Sequence, residues 1–311
     1  MTDIAVEFDT VTCIFGQKVA VRDLSLRIPV GSTFALVGRN GAGKSTTIRT
    51  LLGLIEPTRG ASKLLGADSQ RLPPEVRARV GYLAEGHPVH RRMTVQEHAG
   101  FQARYHAKWH EKTFRAILEA FSIDERAKAI HLSRGQRAIV CLGLTLATRP
   151  DLLVLDDPMM GLDPIARRAF LEALVHFSRG EGRTVLFSSH LLADVERVAD
   201  YLGVLDGGSL RACCTIDTFQ KQVRKYILHF DGKPPGLSLF PGLVGVAVRP
   251  SELHATVVSN GDTLPPPLRA LHPRAVEELP MGLEDSLLAY IGDASVGHFL
   301  LHEPHDQEVA S

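Results

Sequence analysis

The 311-residue chain has no excess of charge of either sign: 35 Lys and Arg stand against 35 Asp and Glu, for a formal net charge of zero. No nucleic-acid partner is therefore expected, because the electrostatic footprint of such binders is a strong basic excess. Long apolar runs are also missing. The longest, Ala138 to Ala147 between Arg137 and Arg149, falls far short of the roughly 20 residues needed to cross a bilayer. Met1 to Glu7 carries acids and no apolar segment, which predicts no secretory signal and a chain that is soluble by itself. Four cysteines, Cys13, Cys141, Cys213 and Cys214, have no C-x-x-C spacing. They are expected to act as small buried hydrophobes in a reducing cytosol. Internal repeats are absent, and the length suggests about two domains.

What is present is a phosphate-binding loop. Gly38-Arg39-Asn40-Gly41-Ala42-Gly43-Lys44-Ser45-Thr46 fits G-x-x-x-x-G-K-[ST]. Its four fixed positions match by accident in roughly one chain of this length in a hundred. The context narrows this further, because Thr33 to Val37 before it reads as a buried strand and Thr47 to Leu52 after it as helix. The glycines permit a path closed to residues with a Cβ, so successive N–H groups converge on phosphate oxygens at a helix N-terminus. Lys44 then reaches the β- and γ-phosphates, and the Ser45 hydroxyl is placed to ligate Mg²⁺.

Ile4 to Phe8 and Leu24 to Ile28 alternate with period two, as half-buried antiparallel strands do. Val80 to Leu83, Leu152 to Leu155 and Thr184 to Phe187 are instead short continuous apolar runs, the pattern of parallel strands buried on both faces. Between Thr94 and Arg149 the composition predicts an all-helical insertion. Asp206-Gly207-Gly208-Ser209 reads as a hairpin turn after the apolar Tyr201 to Leu205. A second, small α+β region follows, with strands at Tyr226 to Phe230, Leu243 to Val248 and His254 to Val258 and a helix from about Leu283 to Ile291. Residues 292–311 read as a flexible tail, although Phe299-Leu300-Leu301 offers an apolar docking point.

A phosphate loop needs an acid to hold its metal. Asp156 ends the buried run Leu152 to Leu155 and is the candidate Mg²⁺ partner, with Asp157 next to it the candidate for polarising an attacking water. The bland alternative for either Asp alone is a helix cap. His106 and His110 stand at i,i+4 spacing on a predicted helix, with His87 and His90 nearby. No acid or Cys completes a zinc site there, which favours a wet helix face or a partner contact. Tyr105 and Trp109 on the same predicted helix read as packing or docking residues.

Leu132-Ser133-Arg134-Gly135-Gln136, about twenty residues before Asp156, resembles the L-S-G-G-Q signature of ATP-binding cassette (ABC) ATPases. The resemblance runs from about Phe8 to Thr215, with its motifs in the family's order. It implies an α/β fold: a P-loop NTPase cassette with a mixed sheet core, an antiparallel β subdomain and an all-helical subdomain, plus the small C-terminal α+β domain. The implied boundaries are 1–220 for the ATPase domain, with the helical subdomain at about 90–150, and 221–291 for the appended domain.

By the same resemblance, Phe15 stacks on adenine, Glu85 occupies the Q-loop with access to metal and water, Gly161-Leu162-Asp163 forms the D-loop, and His190 is the switch histidine near the γ-phosphate. Ser133, Gly135 and Gln136 bind the ATP held by a second copy of the chain, again as a helix N-terminus aimed at a polyanion. Three residues depart from the pattern. Arg134 replaces a glycine, which implies little loss. Asp157 stands where Glu is usual, and Glu85 where Gln is usual. Shortening the carboxylate by one methylene displaces it by about 1 Å, and such a misplacement can cost roughly a hundredfold in rate. Either Glu85 compensates for Asp157 or it only senses the partner subunit.

The Leu283-Glu284-Asp285 stretch followed by a short apolar helix, together with Val80 to Leu83 and Arg92 to Glu97, resembles the exporter branch of the multidrug, antibiotic-resistance and sodium-export type. The implied machine is a pair of these chains, ATP and Mg²⁺ between them, on the cytoplasmic face of the cell membrane beneath a separate permease. That permease would meet the region from Glu85 to Trp109. The rival readings are a soluble ABC ATPase acting as a nucleotide-gated binding switch, and a cassette that hydrolyses ATP slowly.

Overall fold

The structure is a computed structural model that describes residues 3–180, 182–259, 263–291 and 301–302. Period-two alternation gives the first two strands, β1 (Ile4–Phe15) and β2 (Lys18–Pro29), which pair antiparallel. Val6, Phe8, Val11, Leu24, Leu26 and Ile28 are buried on one face of this hairpin. β3 (Thr33–Val37) is buried along its whole length and leads through the phosphate loop into α1 (Lys44–Leu51). β4 (Arg59–Leu64) and β5 (Ala67–Asp68) complete an antiparallel sheet of order β2-β1-β4-β5. The short α2 (Pro74–Arg77) then precedes β6 (Val80–Leu83).

The helical segment comprises α3 (Val95–Tyr105), α4 (Glu111–Ala120) and α5 (Arg134–Leu146). Sequence had placed His106 and His110 on one helix face, with Tyr105 and Trp109 beside them, and this is corrected. α3 stops at Tyr105 and α4 starts at Glu111, although no Gly or Pro lies between. Tertiary contacts override local propensity here: Trp109 packs on the core beside Phe114, ring centroids 5.6 Å apart, and the His110 N–H donates to the Ala147 carbonyl at 2.7 Å. The segment is also not helical throughout. Ser122 at φ 50° ends α4, and the chain runs irregularly to Ser133 apart from one short helical turn.

β7 (Leu152–Leu155), α6 (Pro164–Ser178), β8 (Thr184–Ser189), α7 (Leu192–Val198), β9 (Tyr201–Asp206), β10 (Ser209–Thr215) and α8 (Ile216–Gln222) finish the cassette. The turn between β9 and β10 needs positive φ at both central positions, and Gly207 at 55° and Gly208 at 82° supply it. β11 (Val223–His229), β12 (Leu243–Val248), β13 (Glu252–Val258), α9 (Pro266–Arg269), β14 (Ala275–Leu279) and α10 (Leu283–Ile291) form the C-terminal unit, an antiparallel sheet of order β12-β13-β11-β14 with its own core around Tyr226, Leu228, Leu253 and Leu268. β14 was not foreseen, because its residues are mostly exposed at a sheet edge and carry no buried alternation. The expected flexible tail at 292–311 lies outside the described residues except for β15 (Leu301–His302), which pairs parallel with β10.

The central sheet has the order β15-β10-β9-β3-β8-β7-β6. β3, β6, β7, β8 and β9 are parallel, so the loops after β3, β6, β7 and β8 all leave from one edge. That is where an open α/β sheet binds ligands. One apolar layer lies between the sheet and α1 with the antiparallel sheet, and another lies under α5, α6, α7, α8 and α10. α10 fastens the C-terminal unit to the cassette. Leu283, Leu287 and Tyr290 are spaced to share one helix face and are buried, Tyr290 meets the Phe219 ring edge-on at 5.4 Å, and its hydroxyl donates to the Arg211 carbonyl at 2.7 Å. Leu287→Ala is expected to cost about 2–5 kcal/mol, as large-to-small core changes do. Urea unfolding checks this: the midpoint falls and the C-terminal unit loses protease resistance first.

Candidate functional site

The phosphate loop meets two acidic and two hydroxyl side chains at the edge of the sheet. Gly43 caps α1 at φ 108°, and a Cβ there would stand 2.5 Å from the Ala20 carbonyl oxygen. Only glycine fits, for space and for backbone conformation. Lys44 folds over the loop and donates to the carbonyls of Gly38 at 2.8 Å and Arg39 at 3.2 Å. Burial pushes the Lys44 ammonium below its ordinary range, while the charges of Asp157, Asp156 and Glu85 pull it up.

Asp156 is fully buried at the end of β7. Its Oδ1 accepts from Ser45 Oγ at 2.9 Å and from Ser188 Oγ at 3.0 Å. Its Oδ2 is buried with no hydrogen-bond partner, although the Lys44 ammonium acts on it as a nearby opposite charge, and a buried carboxylate oxygen left without a donor is costly. A serine hydroxyl and an orphaned carboxylate oxygen are hard oxygen donors, so this pair fits Mg²⁺. Asp157, at φ 44°, is fixed through its N–H, which donates to Ser188 Oγ at 2.7 Å. Its carboxylate accepts from His190 Nδ1 at 2.9 and 3.1 Å.

A cavity of about 280 Å³ lies over the loop, lined by Asn40, Gly41, Gly43, Lys44, Ser45, Thr46, Glu85 and Asp157 with Lys18, Ala20 and Met160. The structure thus brings together the phosphate loop, Glu85 and Asp157, with the buried Asp156 bonded to Ser45 and the exposed His190 bonded to Asp157. Other candidates stand apart. Arg39 and Ala42 support the loop through backbone bonds, with the Ala42 N–H donating to the Arg39 carbonyl at 3.1 Å. Phe15 is 50% exposed at the end of β1 and does not line the cavity.

Ser133, Gly135 and Gln136 also lie outside the cavity lining. Ser133 caps α5: its Oγ accepts from the Gln136 N–H at 3.1 Å, and the Gln136 side chain accepts from the Ser133 N–H at 3.0 Å. Both side chains face solvent, while Gly135 is buried against Ala166. Asp163 caps α6 through the N–H groups of Ile165 and Ala166. Sequence reasoning missed Ser188, which holds both aspartates. Its only signal was its place at the end of a buried strand, two residues before His190. His87, set aside with the other histidines, is in fact 4% exposed, and burial pushes its imidazole below the ordinary range. Among the described residues no histidine belongs to a group able to hold a metal.

Gly43→Ala is expected to weaken binding of a nucleoside triphosphate by at least tenfold, because the loop cannot close around a Cβ. Calorimetric titration measures this, and unchanged affinity would mean that the phosphates bind elsewhere.

The sequence pattern of the ABC transporter family matches residues 21–160. The Nod factor export ATP-binding protein I of Rhizobium johnstonii is 30% identical over 309 residues, covering 94% of this chain and 96% of that protein. The ABC-type transporter ATP-binding protein EcsA of Bacillus subtilis is 32% identical over 213 residues, 67% of this chain and 86% of its own. A solved ATP-binding subunit of an ABC transporter superimposes with a TM-score of 0.64 at 29% identity, over 70% of this chain and 92% of that one. With its phosphate loop, its paired aspartates and these relatives, the chain belongs to the ABC transporter family as one of its ATP-binding, ATP-hydrolysing proteins.

Proposed function

We propose that this chain is the nucleotide-binding subunit of an exporter, powering a separate membrane permease by closing and opening as a pair of identical copies around ATP. The observation that supports this most is the mismatch between the two halves of the site. One face holds a cavity with Lys44, Ser45, Glu85 and Asp157, and Ser133 and Gln136 of the signature are exposed outside that cavity on the same chain. A second copy completes each site. The relatives named for export and transport support the direction of traffic. Among the described residues no helix is long and apolar enough to cross a membrane; on this reading the permease is another chain and this one sits peripherally on the cytoplasmic face. On this reading residues 1–220 form the ATPase domain, with a helical subdomain at about 90–150, and 221–291 a small appended domain.

On this reading the residues take the roles that the resemblance implies. Gly38 to Thr46 wrap the phosphates, Lys44 contacts the β- and γ-phosphates, and Phe15 meets the adenine at the edge of the site. Ser45, Asp156 and Glu85 would hold Mg²⁺, which supplies charge neutralisation at the terminal phosphate. Asp157 orients and polarises the attacking water. His190, already donating to that carboxylate, keeps it aimed and faces the γ-phosphate. Ser133, Gly135 and Gln136 of one copy, with Asp163 beside them, reach the ATP held by the other. Loss of the bridging phosphate then loosens the pair.

Asp157 is one methylene shorter than the residue the resemblance leads one to expect, and Glu85 faces the same cavity. Asp157→Glu is expected to raise ATP turnover, and Glu85→Gln to lower it about tenfold in the natural background but less in the Asp157→Glu background. Strictly additive effects would mean that Glu85 does not compensate. Co-purification with a membrane protein tests the partner: a chain that fractionates with ribosomes or DNA instead is a nucleotide-gated switch.

A further inference from the structure

His87 has none of the roles above, yet it is buried in the turn that carries Glu85. β6 ends at Leu83, and Ala84-Glu85-Gly86-His87 then closes on itself, the His87 N–H donating to the Ala84 carbonyl at 3.3 Å and Gly86 sitting at φ 78°. Glu85 is exposed at the head of this turn and His87 lies at its base. His87 is itself at φ 52°, a conformation unfavourable to a residue with a Cβ unless its surroundings hold it there. One such restraint is visible. The imidazole Nε2 donates to the Pro158 carbonyl at 2.8 Å, in a buried position beside the Arg137 guanidinium of α5.

Pro158 directly follows Asp157. β6 and β7 are neighbouring parallel strands with Leu83 opposite Leu155, so their C-terminal loops leave side by side. Nothing in the strand ladder fixes the spacing of those loops beyond Asp156, whose N–H donates to the Leu83 carbonyl at 2.9 Å. The His87 bond supplies a second tie, two residues past Glu85 and one past Asp157.

We propose that His87 is a positioning residue for hydrolysis, clamping the Glu85 turn to the Asp157 loop so that the two carboxylates keep one spacing across the cavity. This rests on the reading that both carboxylates work at the terminal phosphate of ATP. The clamp touches neither the phosphate loop nor Lys44, so it governs turnover and not nucleotide affinity.

Steady-state ATP hydrolysis by the full chain and its His87→Ala, His87→Asn and His87→Gln variants tests this. The Gln amide nitrogen sits at about the reach of Nε2 and donates, whereas the Asn side chain is too short. His87→Ala and His87→Asn are expected to lower kcat by about tenfold to a hundredfold, with KM for ATP within about threefold of the natural chain. His87→Gln is expected to retain most of the turnover. Equal losses in all three variants, or kcat per ADP-binding molecule unchanged while only the melting temperature falls, would overturn the clamp. A natural chain that binds ATP without any hydrolysis would sink the functional reading first, and the clamp with it.

Discussion

The site depends on one buried carboxylate. Asp156 reaches from the end of β7 to Ser45 on the phosphate loop and to Ser188 on β8, so a single side chain ties two neighbouring strands to the loop. Two hydroxyl donors satisfy Oδ1 and leave Oδ2 without a hydrogen-bond donor. A buried, partly paired charge costs stability, and removal of its partners costs more than the bonds themselves are worth. On the proposed reading a divalent cation at Oδ2 would offset that cost, and the same carboxylate holds the loop in place before nucleotide binds.

Around this anchor the sheet supplies geometry and the loops supply chemistry. Parallel strands β3, β6, β7 and β8 deliver Lys44, Glu85, Asp157 and His190 to one edge, although these residues lie far apart in sequence. His190 and Asp157 meet directly, and Ser188 ties the Asp157 backbone to the Asp156 side chain. The acids around Lys44 offset part of what burial takes from its charge. Outside the cavity over the phosphate loop, the capping box of α5 leaves Ser133 and Gln136 bonded to each other and exposed. On the proposed reading this helix N-terminus meets the ATP held by a second copy.

Much of this was legible in the sequence, where residue type and backbone geometry leave no alternative. Gly43 must be glycine at φ 108°, and a continuous apolar run such as Leu152 to Leu155 has to be buried on both faces. Asp156 was readable because an acid at the end of such a run follows from the needs of a phosphate loop. Ser188 and His87 were not, because each acts through hydrogen bonds to residues remote in sequence and belongs to no spacing rule. The break between α3 and α4 was hidden for a related reason. Trp109 and His110 are pulled out of helix by the core and by the Ala147 carbonyl, and local propensity carries no record of that.

The central claim is that ATP joins two of these chains, each finishing the other's site. Light scattering of the Asp157→Asn chain with saturating Mg²⁺ and ATP tests it most directly, since slowed hydrolysis preserves the closed pair. The account predicts a mass twice the 34.0 kDa of one chain, returning to a single chain when Ser133→Arg is added with ATP binding intact. A particle that stays at the mass of one chain under those conditions would contradict it.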